Sequence, residues 1–217
     1  MSDMNLNTSS RTRVQNHTCY PVLTSIGPLS PYYLDRVLTV LNRALADHPR
    51  TLAIRFDLRL PDGYGDVGSD LMTKFVESLK AQIKADLHRR TAQGKRVHLC
   101  NMRYAWVRER CDSDSPHFHV AILLNHDSYH TLGVYVDDQA RNMASRIRKA
   151  WASALRRLPE EILGLVHFPA NPTYSVNANS PDFWAMKTDL FCRLSYFAKL
   201  DTKEHGIHSR SFGCSIR

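Results

Sequence analysis

A chain of 217 residues, 43% hydrophobic and 23% charged, is long enough for one domain with a sizeable core and a small extension. Its formal charge of +8 favours a polyanionic partner, either nucleic acid or an acidic membrane surface. No apolar run approaches the ~20 residues of a membrane span, residues 1–10 lack the apolar stretch of a signal peptide, and the five scattered cysteines contain no C-x-x-C pair. A membrane role and a disulfide framework are therefore not expected, and a reducing cytoplasm is the expected setting.

Residues 1–30 are polar, contain Pro21, Gly27 and Pro28, and read as a loose lead-in. Ser30-Pro31 opens a helix, because Ser caps well and Pro suits the first helical position. Leu34, Val37, Leu38, Leu41 and Leu45 recur at helical spacing as far as Asp47. Thr51 to Leu60 alternates, with Ile54, Phe56, Leu58 and Leu60 on one face and Arg55, Asp57 and Arg59 on the other, which predicts a half-buried strand. A long amphipathic helix is expected over 69–92, with Gly94 at its C-terminal end. Val97–Cys111 and Pro116–Leu124 read as two strands of a hairpin around Asp112-Ser113-Asp114-Ser115. Asp137 or Asp138 then caps a helix to about Leu158, whose outer face carries Arg141, Arg146, Arg148, Lys149, Arg156 and Arg157. Ile162–Phe168 is expected as a fourth strand, Ser180-Pro181 opens a last helix to about Leu200, and 201–217 reads as a basic, loop-like tail.

The order helix, β-α-β-β-α-β, helix points to an α+β fold, a ferredoxin-like or RRM-like split β-α-β sandwich with a central antiparallel sheet. The helices at 69–92 and 138–158 would cover one sheet face. The other would stay partly open and could host a site.

Three groups of residues carry chemistry. On a strand, side chains two apart share a face, so His117 and His119 point together while Phe118, Val120, Ile122 and Leu124 enter the core. Two imidazoles on one face can bind a divalent metal, although a His-x-His pair alone is a weak signal. Glu109 has the parity to join them if the hairpin turn holds an odd number of residues or a bulge; otherwise it pairs with Arg108 or Arg110 on the surface. Two histidines and a carboxylate leave open coordination positions, which suits Mg²⁺ or Mn²⁺ acting on phosphate and, less well, Zn²⁺. On the last helix Arg193, Tyr196, Lys199 and Lys203 follow at spacings of three and four and share a face, which is either an ordinary solvated basic stripe or a tyrosine held beside cations. A phenol needs such help to attack at neutral pH.

Ile54-Arg55-Phe56-Asp57-Leu58-Arg59, His117-Phe118-His119 and Tyr196-Phe197-Ala198-Lys199 together resemble the three ordered motifs of the HUH endonuclease superfamily, the rolling-circle replication initiators and relaxases. More narrowly, the chain looks like the replication proteins of filamentous phages (the inovirus gene-two type) and their prophage-borne YagK/YfjJ-like relatives. The resemblance runs from about Thr51 to Lys203, roughly two-thirds of the chain. It implies an N-terminal extension at 1–50, a nicking domain at 51–203 and a basic tail at 204–217. It also implies that His117, His119 and Glu109 hold the metal, that Tyr196 attacks a phosphate of single-stranded DNA or of an origin hairpin, and that Lys199 assists by charge. The product would be a 5′-phosphotyrosine and a free 3′-OH able to reseal the strand. Arg55, Arg59 and Arg103 share a face and, with Asp57, Arg193 and Lys203, form the expected nucleic-acid surface. Asp57 and Arg59 depart from the hydrophobic-Thr pattern usual in the first motif, and the last helix carries one tyrosine where some initiators use two. No phosphate-binding loop of the helicase type is present, so unwinding would need a host helicase. Two alternatives stay open: a non-catalytic nucleic-acid-binding protein on the same fold, and a hydrolase of small phosphates.

Overall fold

The computed structural model describes residues 11–13, 19–64, 68, 70–110, 116–134, 141–200 and 210–216. A short hairpin, β1 (Arg11–Arg13) and β2 (Cys19–Pro21), leads into α1 (Pro31–Asp47), β3 (Arg50–Arg59), α2 (Asp70–Ala92), β4 (Arg103–Glu109) and β5 (His117–Asn125). Then come α3 (Met143–Leu155), β6 (Val166–His167), β7 (Thr173–Asn177), α4 (Phe183–Leu194), a 3₁₀ turn over Ser195–Ala198, and β8 (Phe212–Cys214). None of the described helices is long and apolar enough to cross a membrane.

The main sheet is antiparallel, in the order β6-β3-β5-β4-β8, with β7 also on β3. Strand β5 enters between β3 and β4, and this is the split β-α-β arrangement expected from the chain order. The fold is α+β, as anticipated.

Strand periodicity builds the first core. Leu52, Ile54, Phe56 and Leu58 of β3 and Phe118, Val120, Ile122 and Leu124 of β5 share a face with Trp106 of β4. They pack on Phe75 and Leu79 of α2 and on Ile147 and Trp151 of α3. Phe75 lies edge-on to Trp151 and to Phe56, both at 6.0 Å.

The opposite sheet face is not open over most of its length. Ala53, Ala105 and Ala121 present small side chains there, and α1 and α4 lie over them. The physical reason is the leucine stripe of α1: Leu34, Val37, Leu38, Val40, Leu41 and Leu45 are all buried, and leaving them in water would cost on the order of 10 kcal/mol. Past Ala105 and Ala121 the face stays largely covered, with Val107, Glu109, His119 and Asp57 all buried.

Several boundaries differ from the sequence expectation, each for a local reason. Among the described residues of the expected 97–111 strand only Arg103–Glu109 joins the ladder, and Cys111 lies outside them. Upstream, Leu99 O and His98 O are taken by the Asn125 amide (2.7 Å) and the Ser128 hydroxyl (2.6 Å). Of the expected 162–168 strand only Val166–His167 (β6) pairs, and β7 (Thr173–Asn177), which the sequence reading did not place, follows beyond Pro169 and Pro172, with Arg55 N donating to Pro172 O at 2.7 Å between the two. Helix α3 starts at Met143 with Asn142 as its cap, its side-chain oxygen accepting from Ser145 N at 2.9 Å; Asp137 and Asp138 lie outside the described residues. The tail is not all loop, because β8 pairs with β4 and Phe212 stacks on Tyr33 of α1 with ring centroids 4.6 Å apart.

Candidate functional site

Cross-strand register assembles the site. Glu109 of β4 stands opposite His117 of β5, and His119 stands between Val107 of β4 and Asp57 of β3. Directly opposed residues share a face, so Asp57, Glu109, His117 and His119 converge at one end of the sheet, where all but His117 are buried. The odd turn length needed for Glu109 is met, since seven residues separate it from His117.

Tyr196 arrives from the other layer. Helix α4 ends at Leu194 instead of running to Leu200, so Tyr196 stands on the 3₁₀ turn and not on a helical face shared with Arg193 and Lys199. The buried Ser195 hydroxyl donates to Cys192 O (2.7 Å) and accepts from Leu23 N (3.0 Å). Ser30 N donates to Ala198 O at 2.8 Å and Leu200 N to Pro28 O at 3.0 Å. The segment read as a loose lead-in therefore pins the tyrosine turn.

The contacts are close. His119 Nε2 lies 3.3 Å from His117 Nε2 and 3.2 Å from Glu109 Oε2. Tyr196 donates its hydroxyl to the same Glu109 oxygen at 3.2 Å, and its ring stands edge-on to His119 with centroids 4.9 Å apart. On the far side of the imidazole, His119 Nδ1 is 2.5 Å from Asp57 Oδ1. Arg55 NH2 is 3.1 Å from that nitrogen and 3.2 Å from the same carboxylate oxygen. A guanidinium and an Nδ1–H are both donors, so Asp57 accepts from both and Arg55 does not bond the ring. His167 Nδ1 meets the other Asp57 oxygen at 3.2 Å.

Electrostatics follow from this packing. Burial disfavours the Asp57 carboxylate, but the His119 hydrogen bond and charge, with Arg55 and His167, outweigh it and lower its pKa to about 2. Burial likewise disfavours the His119 imidazolium, yet its hydrogen bonds to Asp57 and Glu109 prevail and raise its pKa. His117 is shifted down, chiefly by burial and then by the His119 charge, which keeps its nitrogen lone pair available at neutral pH.

Glu109, His117 and His119 suit one divalent ion. Metal–ligand bonds of about 2.1 Å set neighbouring donor atoms about 3.0–3.4 Å apart, and the observed separations are 3.2 and 3.3 Å. The three donor atoms lie within 4.8 Å of one another. Asp57 completes the pattern by fixing the His119 tautomer, leaving Nε2 to face the ion. An open cleft of about 470 Å³, lined by Arg59, Asp62, Pro116 and both histidines, gives access from solvent.

A pH dependence follows. The raised pKa of His119 means a proton occupies its ring below that value, and an ion must displace it. Affinity for Mn²⁺ will therefore rise with pH through the range above the ordinary imidazole value of about 6.5. Titration calorimetry in two buffers of different ionisation heat will show close to one proton released per ion bound at the low end of this range. Affinity independent of pH would refute that role for His119.

The remaining expected residues divide. Arg55, Arg59 and Tyr196 belong to the site; Arg59 faces His117 across the ladder, and the Arg55 guanidinium lies 5.9 Å from the Tyr196 ring centroid. Burial disfavours the Arg55 charge, Asp57 favours it, and the nearby Arg193 adds to the effect of burial. Asp57, expected on DNA, is instead turned inward onto the histidines. Arg103, expected beside Arg55 and Arg59, lies at the other end of the sheet, where its Nε meets Asp47 Oδ2 of α1 at 2.7 Å. Lys199 ends the turn, and none of the site's hydrogen bonds named above involves its ammonium. Lys203 lies outside the described residues. Sequence reasoning missed the support given by Asp57 and the place of His167. The alternation of β3 had already put Asp57 on the histidine face, but no local pattern marks His167, which reaches Asp57 only through the β3–β6 pairing.

The sequence matches the YagK/YfjJ C-terminal domain family over residues 12–215. The chain belongs to that family. It is 36% identical over 192 residues to the uncharacterized protein YagK of Escherichia coli (strain K12), an alignment covering 84% of this chain and 91% of the relative. It is 33% identical over 195 residues to the uncharacterized protein YfjJ of the same strain, covering 84% and 93%. No solved structure matches. The family match spans α1, the whole sheet and β8, so the elements that pin the tyrosine turn fall inside the family's own domain.

Proposed function

We propose that this protein is a metal-dependent, single-tyrosine DNA nicking and joining enzyme of the HUH type, acting at the start of rolling-circle replication. One observation carries the reading. The two strands of one hairpin and a turn 87 residues beyond Glu109 bring a tyrosine hydroxyl, a carboxylate and two imidazoles into one chain of contacts at 3.2–3.3 Å. An accidental basic surface would not need a buried Glu109, 1% exposed, at its centre.

The chemistry assigned to each group is specific. A divalent ion held by Glu109, His117 and His119 would supply Lewis-acid polarisation of a scissile phosphate; Mg²⁺ or Mn²⁺ is the choice for phosphate chemistry, with Zn²⁺ the alternative that imidazole donors tolerate. Tyr196 Oη forms the new bond to phosphorus while the bond to the 3′-oxygen breaks. Its hydroxyl is hydrogen-bonded to Glu109 Oε2; with that oxygen engaged by the ion, the phenolic proton would pass to solvent, and the departing oxygen takes up a proton from solvent to become the 3′-OH. The ester energy is retained in the 5′-phosphotyrosine, so a 3′-OH can reverse the step and join a strand. Arg55 and Arg59 flank the site and would hold the DNA backbone.

The test is covalent capture. Single-stranded DNA labelled on the 3′ side of the cut is mixed with protein and Mn²⁺, with and without EDTA, then denatured. A labelled protein band that needs the metal supports the reading. Metal-independent binding with no band on a diverse substrate pool would favour the non-catalytic alternative, and turnover of small phosphate esters without a band would favour the hydrolase.

A further inference from the structure

The helical layer holds a second concentration of charge, at the end of the molecule remote from Tyr196. Asp86 of α2 is 8% exposed and receives several donors at once. Its Oδ1 meets Arg146 NH2 of α3 at 2.7 Å and Arg89 NH2 at 2.5 Å. Its Oδ2 accepts from the Tyr129 hydroxyl at 3.0 Å and lies 3.8 Å from Arg90 NH1. The Arg90 and Arg146 guanidiniums also sit 5.8 and 5.6 Å from the Tyr129 ring centroid, and Arg90 donates to Ser128 O at 3.0 Å.

One carboxylate balances only one of three guanidiniums. Holding the other two beside it costs repulsion, which an incoming phosphate oxygen would remove. Exposed Lys95, Arg141 and Lys149 surround the trio, and two adjoining shallow grooves of about 270 and 260 Å³ share Asp86, Arg89, Arg141 and Arg146. Among the described residues lining these grooves, six basic side chains stand against a single carboxylate, an excess of five beside the chain's formal +8. Asp86 and Tyr129, which hold the frame together, are both buried.

We propose that this arginine cradle is a second nucleic-acid contact, gripping backbone phosphates apart from the strand held at Tyr196. From His119 to Asn125, next to the turn that carries Ser128, β5 runs about 20 Å, which matches about six nucleotides of a strand at 3.4 Å each. The cradle lies on the α2–α3 side of the sheet and the histidines on the other, so a strand whose cut site lies at the histidines would reach the cradle by passing round the sheet's edge. That placement rests on the nicking function proposed above; the phosphate binding itself does not.

The experiment uses the full chain and a fluorescein-labelled DNA hairpin, with anisotropy recorded between about 50 and 200 mM salt. Arg141→Gln combined with Lys149→Gln removes two exposed cations without touching Asp86, and a thermal melt confirms that the fold is intact. Loss of two phosphate contacts lowers the log–log salt slope by about 1.8 and weakens binding about 10-fold or more near 0.1 M salt. An unchanged slope and affinity would overturn the proposal, as would binding of polyglutamate as tight as that of DNA with equal charge. His119→Ala, measured in parallel, abolishes covalent capture but leaves the salt slope as in the parent. Failure of the nicking reading and failure of the cradle thus show up in different assays.

Discussion

Tyr196→Phe loses the covalent DNA adduct completely and keeps DNA binding within about twofold. The substitution deletes only the hydroxyl oxygen that donates to Glu109 Oε2. The ring keeps its edge-on contact with His119, and the Arg55 guanidinium keeps its place 5.9 Å from the ring centroid. Stability falls by about 1 kcal/mol for one lost hydrogen bond at a partly exposed site. Catalysis falls much further, because nothing replaces the nucleophile: a drop of about 10⁴-fold or more in nicking is expected, as for the loss of a reacting group in other covalent enzymes. The check is single-turnover cleavage alongside band-shift binding. Adduct formation surviving in the Phe variant would mean that another residue attacks, and would remove the central argument for this site.

Asp57→Asn is the second large effect, and it separates the metal centre from the tyrosine. The amide is isosteric and can still accept from His119 Nδ1–H, but it carries no charge to pull the imidazole into line or to balance Arg55. Affinity for Mn²⁺ is expected to fall about 10–100-fold, the usual effect of losing an outer carboxylate behind a ligating histidine. Stability should fall too. The folded-state pKa of Asp57, about 2, lies below the ordinary value of 3.8, so the carboxylate contributes about 2 kcal/mol. A depressed carboxylate pKa means that this contribution is complete above about pH 4 and fades as the pH falls toward 2. The Asn variant should thus melt about 4–8 °C lower at pH 7, and the gap should close in strong acid. Calorimetric metal titration and melting at both pH values test it. Unchanged metal affinity would show that Asp57 does not orient His119.

Both predictions turn on contacts that the sequence foreshadowed unevenly. Strand alternation made the pairing of His117 with His119 legible, along with the parity of Glu109 and of Asp57. These are properties of a two-residue period, which survives any tertiary arrangement. The leucine stripe of α1 and the cap at Ser30 were equally local, and that helix begins and ends where the sequence places it. The position of Tyr196 was less secure: helical spacing put it on a long basic face, whereas a buried serine, bonded to Leu23 across the fold, ends the helix two residues earlier.

Other features were not written locally at all. Burial of α1 over Ala53, Ala105 and Ala121 closes a sheet face that the strand pattern left open, because a leucine stripe must find cover and the pattern does not say where. Arg103 and Arg55 share a strand-face parity, yet one is tied to Asp47 and the other to Asp57, since position along a strand and not parity decides which end of the sheet a side chain serves. His167 reaches Asp57 only through pairing of distant strands. By itself, then, the sequence determined the α+β order of elements, the shared face of His117 and His119 and the parity of Asp57 and Glu109. Tertiary structure alone decided that these meet within 3.3 Å, because register between strands and docking of a terminal turn are set by long-range packing that no local period records.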